Sequence, residues 1–161
     1  MSKKNSKICF AASTGGHFEQ LLMLKPLMEK YDSFLITEKT SYKTSVKGQR
    51  IYNIKNENIQ QINRKEALVV PKLIWNVIKS LYIFIKEKPD VVITTGVLAM
   101  IPISVIAKKF GKKLIYIESF AKINDPTKTG QFLYKYADQF YVQWESMLEF
   151  YPDAIYLGGI Y

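Results

Sequence analysis

Cysteine, histidine, acidic side chains and long apolar runs are all scarce in this chain of 161 residues, and each shortage excludes something. The one cysteine, Cys9, lies inside the first apolar run, so no disulfide within the chain and no cysteine-built metal site is expected. This usage fits a reducing, cytoplasmic setting. No stretch approaches the roughly 18 apolar residues of a membrane span. The polar, basic segment Met1 to Lys7 is too short for a signal peptide. Fourteen acidic residues face 23 lysines and arginines, a net charge of +9. An anionic partner is expected: nucleic acid, an acidic lipid surface or a phosphorylated substrate. Eight basic residues fall between Lys39 and Lys72, against Glu57 and Glu66 alone. Ordinary solvation of a basic surface would account for part of that run. With no aromatic RNA-binding motif, zinc spacing or helix-turn-helix pattern, nucleic acid is set aside.

The length suits a single domain over residues 1–161 with a substantial core. Strands are expected at Lys7–Ala12, Ser33–Thr37, Arg50–Ile54, Asp90–Thr94, Lys113–Ile117, Gln139–Val142 and Ala154–Leu157. Their near-continuous β-branched and aromatic content, as in Val91-Val92-Ile93, suits strands covered on both faces. Helices are expected at His17–Leu24, Pro71–Lys86, Leu98–Phe110, Thr129–Tyr136 and Trp144–Phe150. This alternation predicts an α/β fold with a doubly wound parallel sheet. The polar segments Lys39–Gln49 and Asn56–Lys65 read as loops.

Between the first strand and its helix stands Ser13-Thr14-Gly15-Gly16-His17. A glycine turn there brings bare backbone N–H groups to the positive end of a helix, a place suited to phosphate or diphosphate. A tight turn that simply needs glycine is the alternative. The dinucleotide fingerprint is incomplete because no third glycine follows, although Glu38 stands where a ribose-binding acid would. NAD is therefore set aside, and no cofactor or metal is expected.

In a doubly wound sheet the ligand lies beyond the carboxyl ends of the strands. Those positions also hold Thr94-Thr95-Gly96 and Glu118-Ser119, with Gln143-Trp144-Glu145 and Gly158-Gly159 further on. Thr95 and Gly96 suit a sugar or phosphate, or else a plain turn. Glu118, directly after an apolar strand, suits sugar hydroxyls.

In the predicted helix Pro71–Lys86, Lys72, Asn76, Lys79 and Lys86 gather on one narrow stripe. Apolar side chains fill about 200° of the remaining arc, twice what a surface helix needs to pack on a core. An interfacial helix would place Trp75, Ile78 and Tyr82 at headgroup level, with Lys79 meeting anionic lipid. Burial against a partner subunit is the other reading.

The Gly-Gly-His turn, the Thr-Gly after the middle strand and the block from Glu118 to Gly158 resemble the acceptor-side half of MurG-like, GT-B-type glycosyltransferases. That block includes Pro126-Thr127, Thr129-Gly130, Tyr151-Pro152 and Tyr156-Leu157-Gly158. The whole chain is similar to the asparagine-linked-glycosylation-fourteen family and its bacterial capsule and exopolysaccharide relatives. The string Ala-Asp-x-Phe-x-Val-Gln-Trp, Ala137 to Trp144, is its most specific mark. The resemblance implies a Rossmann-like domain equivalent to the amino-terminal half of a GT-B enzyme. It implies one half of a split transferase, peripheral on the cytoplasmic face of the cell membrane, holding a polyprenyl-diphosphate-linked sugar. The nucleotide-sugar site would belong to a small catalytic partner.

On that basis Thr14, Gly15, Gly16, Thr95 and Gly96 would hold the acceptor diphosphate, Glu118 its sugar, and His17 would be the base. Ile160 and Tyr161 would meet the partner, whereas Ile155 and Leu157 are expected to seal the core. The family's further glycines in the middle loop, and an asparagine after the glutamate, have no counterpart here. Two alternatives stand: a lone nucleotide-sugar-binding transferase, and a non-catalytic membrane adaptor that recruits one.

Overall fold

The computed structural model describes residues 4–39, 54–62 and 68–161. In chain order the elements are β1 (Lys4–Ala12), α1 (Gly16–Leu22), α2 (Lys25–Lys30), β2 (Tyr31–Lys39), β3 (Lys55–Gln60), α3 (Val69–Glu87) and β4 (Val91–Thr94). They continue with α4 (Ile101–Lys109), β5 (Lys113–Ile117), α5 (Lys128–Tyr134), β6 (Gln139–Val142) and β7 (Ile155–Tyr156). Short 3₁₀ turns occupy Leu98–Met100 and Glu145–Glu149.

Among the described residues, seven strands form one parallel sheet in the order β3-β2-β1-β4-β5-β6-β7. Phe10 pairs with Leu35 on one side and Ile93 on the other. Because strand side chains alternate, β1 sends its residues into two cores. Cys9 and Ala11 join Phe34, Val92, Leu114 and Tyr116 beneath Ile83, Ile103 and Leu133 of α3, α4 and α5. Ile8, Phe10 and Ala12 join Leu35, Ile93 and Ile117 beneath Phe18, Leu21 and Met28 of α1 and α2. The expected doubly wound architecture is therefore present.

Several boundaries differ, each for a local reason. The helix expected at His17–Leu24 ends at Leu22, and a second begins at Lys25 with Pro26 in its first turn, where the missing N–H costs nothing. The third strand is Lys55–Gln60, inside a segment expected to be a loop. It sits at the sheet edge, where its polar sequence buries Ile59 and leaves the other side chains at least partly in contact with solvent. The expected strand Arg50–Ile54 and loop Lys39–Gln49 fall, but for Ile54 and Lys39, outside the described residues. Where an α-helix is expected at Trp144–Phe150, the chain forms a 3₁₀ turn over Glu145–Glu149.

α3 departs most from expectation. Its inward face carries Asn76, Ser80, Ile83, Phe84 and Glu87, while Val70, Ile74, Trp75, Val77, Ile78, Leu81, Tyr82 and Ile85 are exposed. Asn76 thus leaves the predicted lysine stripe for the interior. Its amide donates to Gln60 O at 2.8 Å and accepts from Gln60 N at 2.9 Å, extending the edge strand's hydrogen bonding into a side chain. Glu87 pairs with Lys7 at 2.8 Å and with Lys55, which tie the helix end to the base of the sheet.

Candidate functional site

The strand order reverses between β1 and β4, and their carboxyl ends open into a cleft of about 560 Å³. One wall comes from Ser13, Thr14 and His17 after β1 and from Glu38 on β2. The facing wall comes from Val97 after β4 and from the segment between β5 and α5, which brings Lys122, Asp125, Thr127 and Lys128.

Gly15 has φ +83°, and a Cβ at Gly15 or Gly16 would meet nothing within 4 Å, so backbone geometry and open approach explain these glycines. Phe18 and Glu19 donate to Gly15 O and begin α1. The amides ahead of them lie outside the helical ladder and are available to a ligand. Since α1 has seven residues, these individual N–H groups matter more than a summed dipole. Gly96 is constrained differently: at φ +99°, a Cβ there would sit 2.6 Å from Tyr116 Oη. Val97 follows with φ +81°, a strained conformation for a β-branched side chain, and turns the chain onto the cleft wall.

His17 is half-buried, and its Nδ1 is buried without a hydrogen-bond partner among the described residues. Burial pushes the imidazole below the ordinary histidine range, against smaller upward pulls from its contact with Thr95 and the charge of Glu118. The ring is therefore neutral at pH 7 and able to accept a proton. Glu38 is 7% exposed, and burial raises its carboxyl, opposed by a hydrogen bond from the Ile62 backbone. A histidine and a carboxyl, each biased toward its neutral form, thus line one cleft.

Two residues expected on the walls lie behind them. Thr95 is fully buried, and its hydroxyl donates to His17 O at 3.0 Å, stitching the two loops together. Glu118 is also fully buried. Its carboxylate accepts from Ser119 N at 2.8 Å, from the Thr127 hydroxyl at 3.0 Å and from Tyr151 Oη at 2.9 Å. Glu118, expected to meet the sugar, thus stands behind the wall, and its carboxylate fixes the position of Thr127 on it. Thr127 also caps α5, its hydroxyl accepting from Gly130 N at 2.8 Å. At Gly130 a Cβ would come within 2.2 Å of Glu118 Oε2. Burial and the Glu118 charge hold the Tyr116 and Tyr151 phenols well above the ordinary tyrosine range, so both stay protonated as donors.

Lys122, Asp125 and Lys128 escaped sequence reasoning because they sit in a polar stretch without a motif. Glu38 had a usable signal, its place at the end of a strand.

Elsewhere, Lys79 and Lys86 flank the Tyr82 ring on α3 at 5.1 and 5.5 Å. No helix of the described residues is long and apolar enough to cross a membrane. In the last segment Leu157, expected to seal the core, is 80% exposed and Ile155 is partly buried, whereas Ile160 packs partly buried against the core beneath α1 and α2. Tyr161, expected to be an interface residue, is exposed with its ring edge-on to Phe120 at 5.0 Å. Beside this segment an apolar groove of about 310 Å³ runs between Leu24, Leu27, Ile115 and Tyr141.

A parallel sheet in this strand order, with its cleft at the reversal, is a Rossmann-like, doubly wound α/β domain. The domain superposes on Acinetobacter baumannii MurG with a TM-score of 0.69 at 16% identity, covering 88% of this chain and 42% of that one. For a UDP-N-acetylglucosamine 2-epimerase from Rickettsia bellii the TM-score is 0.73 at 12% identity, covering 96% and 45%. These likenesses are of fold. Residues 9–160 match the family model "Oligosaccharide biosynthesis protein Alg14 like", and the chain belongs to that family. Relatives named UDP-N-acetylglucosamine transferase subunit ALG14 include the human protein, 37% identical over 47% of this chain and 38% of its own length. The one from Yarrowia lipolytica is 25% identical over 96% and 81%. The alignment with the human relative therefore spans well under half of that protein.

Proposed function

We propose that this chain is the acceptor-binding, membrane-docking subunit of a two-component glycosyltransferase. It presents a polyprenyl-diphosphate-linked saccharide to a sugar carried as its UDP derivative on a small catalytic partner, in capsule or exopolysaccharide synthesis. The observation that carries this reading is the pairing of a cleft at the sheet's reversal, with a neutral histidine at its mouth, and a helix that exposes its apolar face. A lipid-linked acceptor has the same two parts, an anionic sugar head and an apolar tail.

The Gly15 and Gly16 amides and the Thr14 hydroxyl bind the diphosphate, with Lys128 supplying positive charge across the cleft. His17 takes the proton of the acceptor hydroxyl as its oxygen bonds to C1 of the donor sugar. The bond from C1 to the UDP oxygen breaks, UDP leaves with the electron pair, and the anomeric centre inverts. Thr95 and Glu118 act from behind, holding His17 and Thr127 in place. Trp75, Ile78, Tyr82 and Lys79 bring α3 to an anionic membrane, which makes the subunit peripheral on the cytoplasmic face. The partner meets the segment around Leu157, Ile160 and Tyr161.

The test is sugar transfer from UDP-N-acetylglucosamine, UDP-glucose and UDP-galactose to membrane lipid extract, with this chain alone, the partner alone and both together. Turnover only in the mixture is the expected result. Turnover by this chain alone would mean that it holds its own donor site, and silence throughout would favour the adaptor.

A further inference from the structure

Neither the cleft wall nor α3 gives the string from Ala137 to Trp144 a task. Its first members serve the fold: Asp138 accepts from Leu114 N at 2.7 Å, and Phe140 and Val142 enter the core. Trp144 Nε1 donates to Phe120 O at 2.7 Å and fixes the loop after β5. Gln143 is different. It is 4% exposed, and its amide joins three separate parts of the molecule. Nε2 donates to Glu118 O at 2.8 Å and to Gln20 Oε1 at 3.3 Å, while Oε1 accepts from Ile160 N at 3.0 Å.

Gln20 lies on α1, one helical turn beyond His17, and is itself 4% exposed. Ile160 belongs to the segment that returns over the sheet after Gly158 turns at φ +90°. A second contact joins the same two elements, because Ile160 packs against the apolar cluster that holds Phe18 and Leu21 of α1. A buried amide with both donors and its oxygen engaged is a demanding choice for packing alone, since an apolar side chain would fill the space without needing partners.

We infer that Gln143 is a positioning residue that couples the segment ending in Ile160 and Tyr161 to the helix that carries His17. A partner engaging that segment thereby acts on the cleft without touching it. The inference rests on the split-transferase reading for its consequence in catalysis, and its structural content is testable apart from that reading.

The experiment is amide hydrogen exchange over residues 16–22 in four proteins: the full chain, Gln143→Glu, a chain ended at Gly159, and the two changes combined. Glutamate keeps an oxygen for Ile160 N and loses both donors. Gln143→Glu is expected to speed exchange in α1 about 10-fold, the shortened chain at least as much because it also loses the Ile160 packing, and the combination no more than the shortened chain. Unchanged exchange in the shortened chain, or single effects that multiply, would overturn the inference. Should Gln143→Glu fail to fold, Gln20→Met breaks the same link from α1 at nearly constant volume. In the transfer assay Gln143→Glu is expected to lower kcat about 10-fold, with partner affinity and acceptor KM unchanged; wild-type kcat would refute it. If the wild-type pair transfers no sugar, the transferase reading falls, and the exchange result still decides the coupling.

Discussion

The cleft and the outer face of α3 are built on opposite principles. Behind the cleft wall the buried Thr95 and Glu118 are held by directional bonds: the Thr95 hydroxyl donates to His17 O, and Glu118 accepts from the Thr127 and Tyr151 hydroxyls. On α3 the outward side chains are large, apolar and exposed, and the polar Asn76, Ser80 and Glu87 point inward. Chemistry at a reacting atom needs fixed geometry, which only burial and directional bonds supply. Docking on a fluid surface needs apolar area and charge, which tolerate imprecise placement. The two regions should therefore respond to substitution in different observables.

The largest expected effect separates them at the cleft. His17→Ala should lower kcat of the reconstituted pair by about 10²- to 10⁴-fold, the range for loss of a general base, and leave vesicle binding unchanged. Because burial lowers the His17 pKa, the acid limb of the wild-type profile should lie below the ordinary imidazole value of about 6.5. The stability sign is the reverse of a stabilised cation's: the unfolded chain takes up this proton more readily, so His17 costs stability as pH falls through about 6.5. An acid limb above the ordinary value would remove His17 from the role of base.

Next in size, replacing Trp75, Ile78 and Tyr82 together by Ala should weaken binding to anionic vesicles about 100-fold, a fraction of their full burial value. Turnover on a short-chain, detergent-soluble acceptor should stay near wild type. Equal losses on both acceptors would erase the distinction between the regions.

Asn76→Leu probes the inward side of the same helix. It strands the Gln60 N–H and C=O at the sheet edge and should cost about 2 kcal/mol, read by denaturant unfolding, with vesicle affinity unchanged for the folded protein. The smallest effect is expected from Lys79→Gln: about 5-fold weaker vesicle binding at low salt, vanishing at high salt, since one basic residue near a charged surface contributes about 1 kcal/mol. A salt-independent loss would point to Lys79 acting through its contact with Tyr82.

Much of this was legible in advance. Strands such as Lys113–Ile117 and Gln139–Val142 match their expected bounds, because buried parallel strands are short apolar runs that little else resembles. The Gly-Gly-His turn announced the first wall of the cleft, since φ beyond +80° at Gly15 is written as glycine. The edge strand β3 was not legible, because its polar sequence is held by its neighbours Phe34 to Lys39 and by Asn76. Nor was the second wall, since Lys122 and Lys128 come to line the same cleft as Ser13 only when β5 takes its place in the sheet, one strand removed from β1.

By itself the sequence determined the alternation of elements, the position of the glycine turn, the apolar excess of α3 and the basic charge. These are local properties, set by periodicity and by the conformations each residue permits. Only the tertiary structure decided that Asn76 faces inward, that Glu118 stands behind the wall, that Leu157 is exposed while Ile160 is tucked in, and that Gln143 joins the last residues to α1. Each of these depends on which distant group supplies a buried polar atom with its partner, and that choice is made when the sheet closes.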